Sequence, residues 1–295
     1  MGTPAGFAVF SDPDVNSYLK KILDAWGFFL KSPSSRYVLT ACDKGWFGPK
    51  ASKRLPNFAE TFLCDPLSEY YGFTSWDDFF TRQFRPGVRP VAEPDNGSII
   101  INACESTVYR IAHRVKDKDR FWFKGEPCSL KHMLRNDPFA SIFARGTVYQ
   151  ATLGPTSYHR WHSPVNGTII RTMSIPGTYF AEFPAIGSKD NPDMHNSQTF
   201  AASTATRAVI FIEADNRDIG LMCFMAVGLV EVSTCEVTVQ EGARVKKGEQ
   251  LGMFHFGGST YCLLFRPETR LAFVADLSRD KDVHLNAALA IASST

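Results

Sequence analysis

The sequence predicts an α+β protein in which an N-terminal helical cap and linker, residues 1–95, precede a β-rich, sandwich- or barrel-like domain, residues 96–295. Three observations predict this class. Apolar residues recur at helical spacing between Asn16 and Lys31. A proline-punctuated link, residues 85–90, then ends any helix, and the main boundary is expected between positions 85 and 97. From Ser98 onward, short β-rich runs alternate with Gly, Pro or Asn.

The cap is expected to contain two main helices. The first, over residues 16–31, is more consistent with a helix packed on its own domain than with one lying on a membrane surface. Its candidate N-caps are Ser11, Asp12 and Asn16. Ser75 is placed to cap the second helix, and the carboxylates that follow it suit the helix dipole. The residues of this second helix expected to face inward are Trp76, Phe79 and Phe80.

The second domain is predicted mainly from β-branched and aromatic runs bounded by turn residues. The predicted strands are residues 99–101, 107–111, 121–123, 146–153, 167–175, 208–214 and 219–231. Residues 178–205 are polar and irregular, which is typical of a loop that faces a substrate or moves. Glycines pace residues 242–252, so we expect tight hairpins there.

Composition narrows the class of protein. With 44% hydrophobic and 21% charged residues, the 295-residue chain is an ordinary globular protein. The net charge is only +2 and no cluster of basic residues occurs, so the sequence does not indicate nucleic-acid binding. Seven scattered cysteines with no C-x-x-C pair argue against a disulfide framework and fit a reducing cytosol. No apolar run approaches a membrane span and no signal peptide is evident, so we expect a cytoplasmic protein for which membrane attachment is disfavoured.

The most informative stretch is Phe254–Phe265, where two apolar segments flank Gly257, Gly258 and Ser259. It is interpreted as a buried strand, a tight break and a second buried strand. The Ser259 hydroxyl can then reach the Gly258 carbonyl and shift the peptide from amide to ester. β-Elimination would break the chain and leave a dehydroalanine, which loses ammonia to become a pyruvoyl group. The alternative is that Gly-Gly-Ser-Thr is simply a hairpin turn.

Two histidines, His159 and His162, lie three residues apart beside a Pro-Val-Asn-Gly turn. On a helix they would share a face and could bind zinc. The turn favours a loop instead, and no further ligands follow at convincing spacing, so no metal site is predicted. They are either inert structural histidines or a base and an acid poised near neutral pH.

Glu105 stands in an apolar strand context. If buried, this carboxylate should be paired, since an isolated buried charge is costly. It can orient a histidine, as the acid does in a nucleophile–base–acid triad, or it can simply point to the surface.

Four stretches occur in one order along the chain and together resemble the phosphatidylserine decarboxylase family of pyruvoyl enzymes. The similarity is closest to a soluble fungal branch of that family, the L-tryptophan decarboxylases. The stretches are Trp76–Arg82 with Arg89-Pro90, Tyr158–Gly167, Pro176–Phe180 and Gly257–Thr260. That branch usually carries a further N-terminal segment, so we expect this chain to begin inside the alignment.

The resemblance implies that the chain cleaves itself between Gly258 and Ser259. Ser259 would become the pyruvoyl group, and residues 1–258 and 259–295 would stay associated. His162 resembles the base for self-cleavage, and Glu105 stands where the family usually has an Asp that orients this histidine. His159 resembles the histidine implicated in decarboxylation.

The resemblance also implies a substrate and a cofactor. An aromatic L-amino acid, with L-tryptophan first, would lose CO2 on the pyruvoyl group derived from Ser259, without pyridoxal phosphate. Phosphatidylserine is the alternative substrate for the same chemistry, and a homodimer is compatible with the resemblance. The candidate substrate-binding residues are Tyr179, Phe180, Glu182 and Phe183.

Two other classes of function remain open. A serine hydrolase could use Ser259, His162 and Glu105 without cleavage. A non-catalytic, carrier-like module is also compatible with the hairpin texture of residues 242–252, where Lys246 and Lys247 lie near the tip.

Overall fold

A computed structural model describes residues 3–116, 129–182, 198–228, 234–256, 259–275 and 277–293. Within these ranges, most of the helical structure lies in the N-terminal cap. The α-helices are α1 (Pro4–Ser11), α2 (Pro13–Leu30), α3 (Pro49–Ser52), α4 (Phe58–Thr61), α5 (Trp76–Phe80), α6 (Leu130–Met133) and α7 (Gln198–Thr204).

The strands fill the rest of the chain. They are β1 (Ile99–Ile101), β2 (Ser106–His113), β3 (Thr147–Leu153), β4 (Arg160–His162), β5 (Gly167–Ile175), β6 (Arg207–Ala214), β7 (Leu221–Gly228), β8 (Thr234–Val237), β9 (Arg244–Val245), β10 (Gln250–His255), β11 (Ser259–Phe265), β12 (Arg270–Phe273), β13 (Asp282–Val283) and β14 (Ala288–Ser293).

The two predicted cap helices are present, and their first residues explain where they begin. Of the three candidate caps for α2, Asp12 is the one used: its Oδ1 accepts the amides of Asp14 and Val15 at 2.9 and 3.0 Å. Ser75 caps α5 as expected, accepting an amide at 3.0 Å. On α5, Phe79 and Phe80 are buried, whereas Trp76 is half-buried.

The α+β class is confirmed, and the sheets are open. The largest is an eight-stranded antiparallel sheet in the order β13-β2-β3-β11-β7-β6-β5-β9, so no closed barrel forms among the described strands. A second sheet, β4-β10-β8, packs against it through Trp161 and Phe254. The Trp161 ring lies 5.1 Å from that of Phe224 in β7 and 5.6 Å from that of Phe254. The third sheet, in the order β1-β14-β12, holds the C-terminal strand.

Most predicted strands are confirmed within a residue or two, because their β-branched runs are buried in the large sheet. The expected loop around the two histidines was wrong: Arg160–His162 form β4, paired with β10. The expected strand at residues 121–123 lies outside the described residues. The six described cysteines are free thiols. In the described part of the chain, no helix combines the length and the apolar character needed to cross a bilayer.

Candidate active site

Ser259 is the first residue of β11, in the middle of the large sheet. It pairs with Leu153 of β3 on one side and with Gly228 of β7 on the other. The residue is 2% exposed, and its Oγ has no hydrogen-bond partner among the described residues. A buried hydroxyl without a partner is costly, which makes this position unusual. Gly258, the other half of the expected cleavage site, lies outside the described residues.

His159 is fully buried just before β4. Its ring stacks on that of Phe80 in α5, with centroids 4.0 Å apart. Its carbonyl accepts the amide of Phe254 at 2.9 Å, which places it beside the C-terminal half of β10. The cap helix α5 therefore covers this histidine from one side.

His162 is held in one tautomer by its neighbours. Its Nδ1 lies 2.7 Å from the carbonyl oxygen of Gly248, which can only accept, so Nδ1 carries the proton. Nε2 then accepts the hydroxyl of Tyr158 at 2.9 Å. Burial lowers the pKa of His162 to about 4, with the Arg160 charge acting in the same direction. The imidazole is thus neutral near pH 7, and its pKa lies below the near-neutral value that the sequence interpretation expected.

The register of β4 on β10 gives the two histidines different positions. His162 lies opposite Gln250, at the start of β10, whereas His159 lies beside Phe254, near its end. Each residue advances a strand by about 3.3 Å. Along β10, His159 is therefore nearer than His162 to the end from which the chain continues to Ser259.

Glu105 is paired, but not with His162. Its carboxylate accepts two hydrogen bonds from Arg89, at 2.7 and 3.0 Å, one from the amide of Leu285 at 2.8 Å, and contacts Nδ1 of His284 at 2.8 Å. Burial alone would raise the pKa of Glu105, but the Arg89 hydrogen bonds and the other donors hold it below its ordinary value. No hydrogen bond joins Glu105 to His162 among the described residues, because Arg89 of the linker occupies the carboxylate.

The two landmark stretches at residues 76–82 and 158–167 pack on each other through arginines. Arg160 donates to the Thr81 carbonyl at 2.5 Å and to Gln250 at 2.7 Å. Arg82 is buried over the Phe62 ring and donates to the Thr156 carbonyl at 2.7 Å. Burial lowers the pKa of Arg82 to about 9. These contacts fix the cap to the segment that carries both histidines.

A pocket of about 880 Å³ opens between the cap and the end of β10. Its lining is mainly apolar and rich in aromatic rings, and none of the described lining residues has a charged side chain. The lining residues are Leu19, Ile22, Leu23, Ala25, Trp26, Phe29, Leu30, Ser35, Tyr37, Val38, Trp46, Trp76, Phe180 and Phe256. Phe256 brings this pocket to within three residues of Ser259 along the chain.

The four expected substrate-binding residues differ in their position relative to the pocket. Phe180 lines the pocket. Tyr179 is buried and its amide donates to Asn16 of α2 at 3.1 Å, so it joins the loop to the cap without lining the pocket. Glu182 is half-buried outside the lining. Phe183 lies outside the described residues.

Sequence reasoning assigned no role to two residues of the candidate site, His255 and Tyr158. His255 ends β10, and its ring nitrogens contact Asp77 of α5 and Glu236 of β8. Tyr158, quoted only as part of a motif, supplies the hydroxyl that meets His162. The proximity of His255 to Ser259 in the sequence was the one signal that could have drawn attention to it. Within the described ranges, no group of three or more His, Cys, Asp or Glu is arranged to hold a metal ion.

We expect the buried His162 to make the fold less stable in acid. Its pKa is about 4 in the folded chain and 6.5 when unperturbed, so the unfolded chain takes up a proton first as the pH falls. Neutral His162 contributes fully to the free energy of unfolding above pH 6.5. As the pH falls towards 4 this contribution is lost, which lowers the free energy of unfolding by at most ~3 kcal/mol. Urea unfolding at pH 7 and pH 4.5 measures this loss of unfolding free energy. The experiment uses the Ser259→Ala variant, which should remain a single uncleaved chain.

The matched variants are His162→Gln and, as a control, His132→Gln, which changes an exposed histidine on α6. His162→Gln should flatten the pH dependence and His132→Gln should not. If the free energy of unfolding changes equally with pH in the Ser259→Ala protein and in both histidine variants of it, His162 is not buried as a neutral base.

Comparison with known proteins gives one family. A family model for phosphatidylserine decarboxylase matches residues 76–290, and a second, also described as phosphatidylserine decarboxylase, matches residues 1–55. A protein of Amanita muscaria (strain Koide BX008) named Decarboxylase iboD is 46% identical, over 98% of this chain and 87% of its own length.

Two further relatives, each named L-tryptophan decarboxylase, come from Psilocybe cyanescens and Psilocybe cubensis. They are 45% and 44% identical over 92% and 93% of this chain, and the chain spans 66% and 67% of their length. A rice protein named phosphatidylserine decarboxylase proenzyme 2 is 31% identical over 78% of the chain. The family models and these decarboxylase relatives cover nearly the whole sequence, and the chain therefore belongs to the phosphatidylserine decarboxylase family.

Proposed function

We propose that this chain cleaves itself between Gly258 and Ser259 and then decarboxylates an aromatic L-amino acid, L-tryptophan before others. The observation that carries the substrate class is the apolar, ring-lined pocket that ends at Phe256. The names of the two Psilocybe relatives support the same choice. Release of CO2 and tryptamine would be the net reaction.

The volume and chemistry of the pocket suit a bulky aromatic side chain. About 880 Å³ lies within the range of small-molecule sites, roughly 300–1,000 Å³. Trp26, Phe29 and Phe180 line it, so an indole ring has faces and edges to pack against. None of its described lining residues is charged, so a charged head such as that of glutamate or lysine would lose its hydration without a partner among them.

Ser259 fits the family's pyruvoyl group, because its buried Oγ is not held by any described residue and is available as a nucleophile. In self-cleavage, the Oγ–carbonyl bond forms as the Gly258–Ser259 amide bond breaks, and the amide nitrogen takes up a proton. Elimination of the Ser259 Cα proton and the ester oxygen then frees the Gly258 carboxylate and leaves a dehydroalanine at position 259. Its imine tautomer adds water and releases ammonia, which gives the pyruvoyl group. When present, the pyruvoyl group supplies the sink for the electrons left behind by the departing carboxylate.

The histidines divide the proton transfers. His162, neutral and with Nε2 bonded to the Tyr158 hydroxyl, is assigned as the base for self-cleavage, acting through Tyr158 or after that hydroxyl moves. His159, stacked on Phe80 at the Ser259 end of β10, is assigned to deliver the proton that replaces the carboxylate. Its full burial excludes competing water.

Phosphatidylserine is the second candidate substrate, and one observation favours it. Tyr18, Ile22 and Trp26 recur every four residues on α2 and are about half or more exposed, at 67%, 64% and 48%. Such an apolar row beside the pocket would suit a bilayer surface. A lipid substrate would then enter the same pocket from the membrane.

The test combines maturation with substrate choice. The intact mass of purified protein, measured under denaturing conditions, should give two pieces, residues 1–258 and 259–295. CO2 release is then followed with free L-tryptophan, L-phenylalanine, L-tyrosine and L-serine, and with phosphatidylserine in vesicles. Release from L-tryptophan supports the proposal, whereas release from the vesicles alone would assign the lipid.

A single unbroken chain would overturn the proposal and leave the two other classes. A serine-directed phosphonate would then label Ser259 if the protein is a hydrolase. An unlabelled, inert chain would favour the non-catalytic module.

Phe29→Ala is expected to raise KM for L-tryptophan about tenfold, equivalent to about 1.4 kcal/mol of lost contact, with little change in self-cleavage. Phe29 lines the pocket and its ring lies 5.4 Å from that of Trp26. The neighbouring Phe28 is 81% exposed and outside the lining, so Phe28→Ala is the matched control on the same helix. If both variants keep the wild-type KM in steady-state kinetics, the pocket does not hold the substrate.

A further inference from the structure

His255, the last residue of β10, is a buried histidine held between two carboxylates. Its Nδ1 lies 2.9 and 3.0 Å from the two carboxylate oxygens of Asp77, and its Nε2 lies 2.9 Å from Glu236. The three residues come from three elements: α5 of the cap, β8 and β10. This cluster, Asp77–His255–Glu236, has no part in the proton transfers assigned above.

Each ring nitrogen of His255 faces a carboxylate. Both contacts are of hydrogen-bond length, and an ionised carboxylate can only accept in them. The Asp77 side chain is 10% exposed and that of Glu236 is 48% exposed, so the Asp77 contact is the less screened of the two. The cluster therefore ties the end of β10 most strongly to the cap.

The residue after His255 has a strained backbone. Phe256 has φ +81°, in the left-handed region that a bulky non-glycine residue rarely adopts. Such a conformation is costly and persists only where surrounding contacts impose it. Upstream, His255 provides such contacts. Downstream, Ser259 is fixed by pairing with both neighbouring strands of the large sheet.

The Phe256 ring is also in close contact with α2. A Cβ built on Gly27 would lie 2.7 Å from Cε2 of Phe256, so only glycine at position 27 leaves room for the ring. Phe256 is at the same time a wall of the pocket. One short segment thus connects the cluster, the pocket and Ser259.

We propose that His255 is a positioning residue, clamped by Asp77 and Glu236, for both stages of the proposed function on which this inference rests. In the precursor, the cluster holds Phe256, the last described residue before Ser259, and so supports the chain that Ser259 Oγ attacks. After cleavage, residue 258 is a free chain end. The same cluster then keeps the Phe256 wall of the pocket in place.

The test uses the full chain made by cell-free translation, with the rate of self-cleavage followed on gels after synthesis is stopped. His255→Gln and Asp77→Asn alter the contact between these two residues. We expect cleavage at least about tenfold slower, since small displacements of reacting groups have effects of this size. In the cleaved fraction, KM for L-tryptophan should rise about fivefold while kcat stays within about twofold, because the clamp touches the pocket wall and no reacting atom.

Three further variants separate positioning from general stability. Asp137→Asn removes an equally buried carboxylate from its 2.7 Å ion pair with Arg171, outside the cluster, and should change neither rate nor KM. Glu236→Gln alters the more exposed contact, so this variant should fold even if the others do not. It should slow cleavage and raise KM for L-tryptophan, each by a smaller factor than His255→Gln. His255→Lys places a hydrogen-bond donor between the carboxylates and should recover part of the loss seen with His255→Gln.

The outcomes are distinct for the two proposals. If the wild-type chain is not cleaved, the proposed function is wrong, and this inference with it. If wild type is cleaved and both His255→Gln and Glu236→Gln match its cleavage rate and KM, only the positioning role is wrong. Lower melting temperatures with unchanged rate and KM would make the cluster merely structural, which also overturns the inference.

Discussion

Ser259→Ala is expected to leave one uncleaved chain with no detectable decarboxylation. The substitution removes the Oγ that attacks the Gly258 carbonyl, and with it the source of the pyruvoyl group. Since that Oγ has no hydrogen-bond partner among the described residues, its removal should not weaken the fold. Intact mass under denaturing conditions, together with CO2 release from L-tryptophan, measures both losses.

The control for this variant is Ser203→Ala, which removes the hydroxyl of another buried serine, on α7. It should be cleaved and active. Decarboxylation by an uncleaved Ser259→Ala protein would show that the electron sink comes from elsewhere. Cleavage of Ser259→Ala at the usual position would show that another group breaks the chain.

His162→Ala is expected to block cleavage, whereas His159→Ala should still be cleaved but decarboxylate poorly. A positioned acid or base contributes about 10²–10⁴-fold to a rate, so each loss should be large at its own step. His162 suits the first step because it is a neutral base with a lowered pKa. His159 suits the second because it is buried near the Ser259 end of β10.

Tyr158→Phe refines this test. It keeps the ring that stacks on Phe84, at 4.3 Å, and removes only the hydroxyl that meets His162. If His162 acts through that hydroxyl, the variant should be cleaved slowly; if the hydroxyl only holds the base, it should be cleaved at a rate close to wild type. If His162→Ala is cleaved at the normal rate, His162 is not the base for self-cleavage. His159 would then be the next candidate for that role.

Local signals predicted the elements well. The caps at Asp12 and Ser75 and the apolar runs of the large sheet depend on contacts within a few residues, which a sequence displays directly. The strand β4 was missed because three residues beside a turn carry too little periodicity, and pairing with β10 decided their conformation.

The sequence by itself determined the class of the fold, the family motifs and the position of Ser259 after two glycines. The tertiary structure alone decided which charges meet. Arg89 takes the carboxylate of Glu105, and Asp77 meets His255 across 178 positions of the chain. The physical reason is that hydrogen bonds and ion pairs depend on which elements pack together, and distant elements leave no periodic trace of that packing in the sequence.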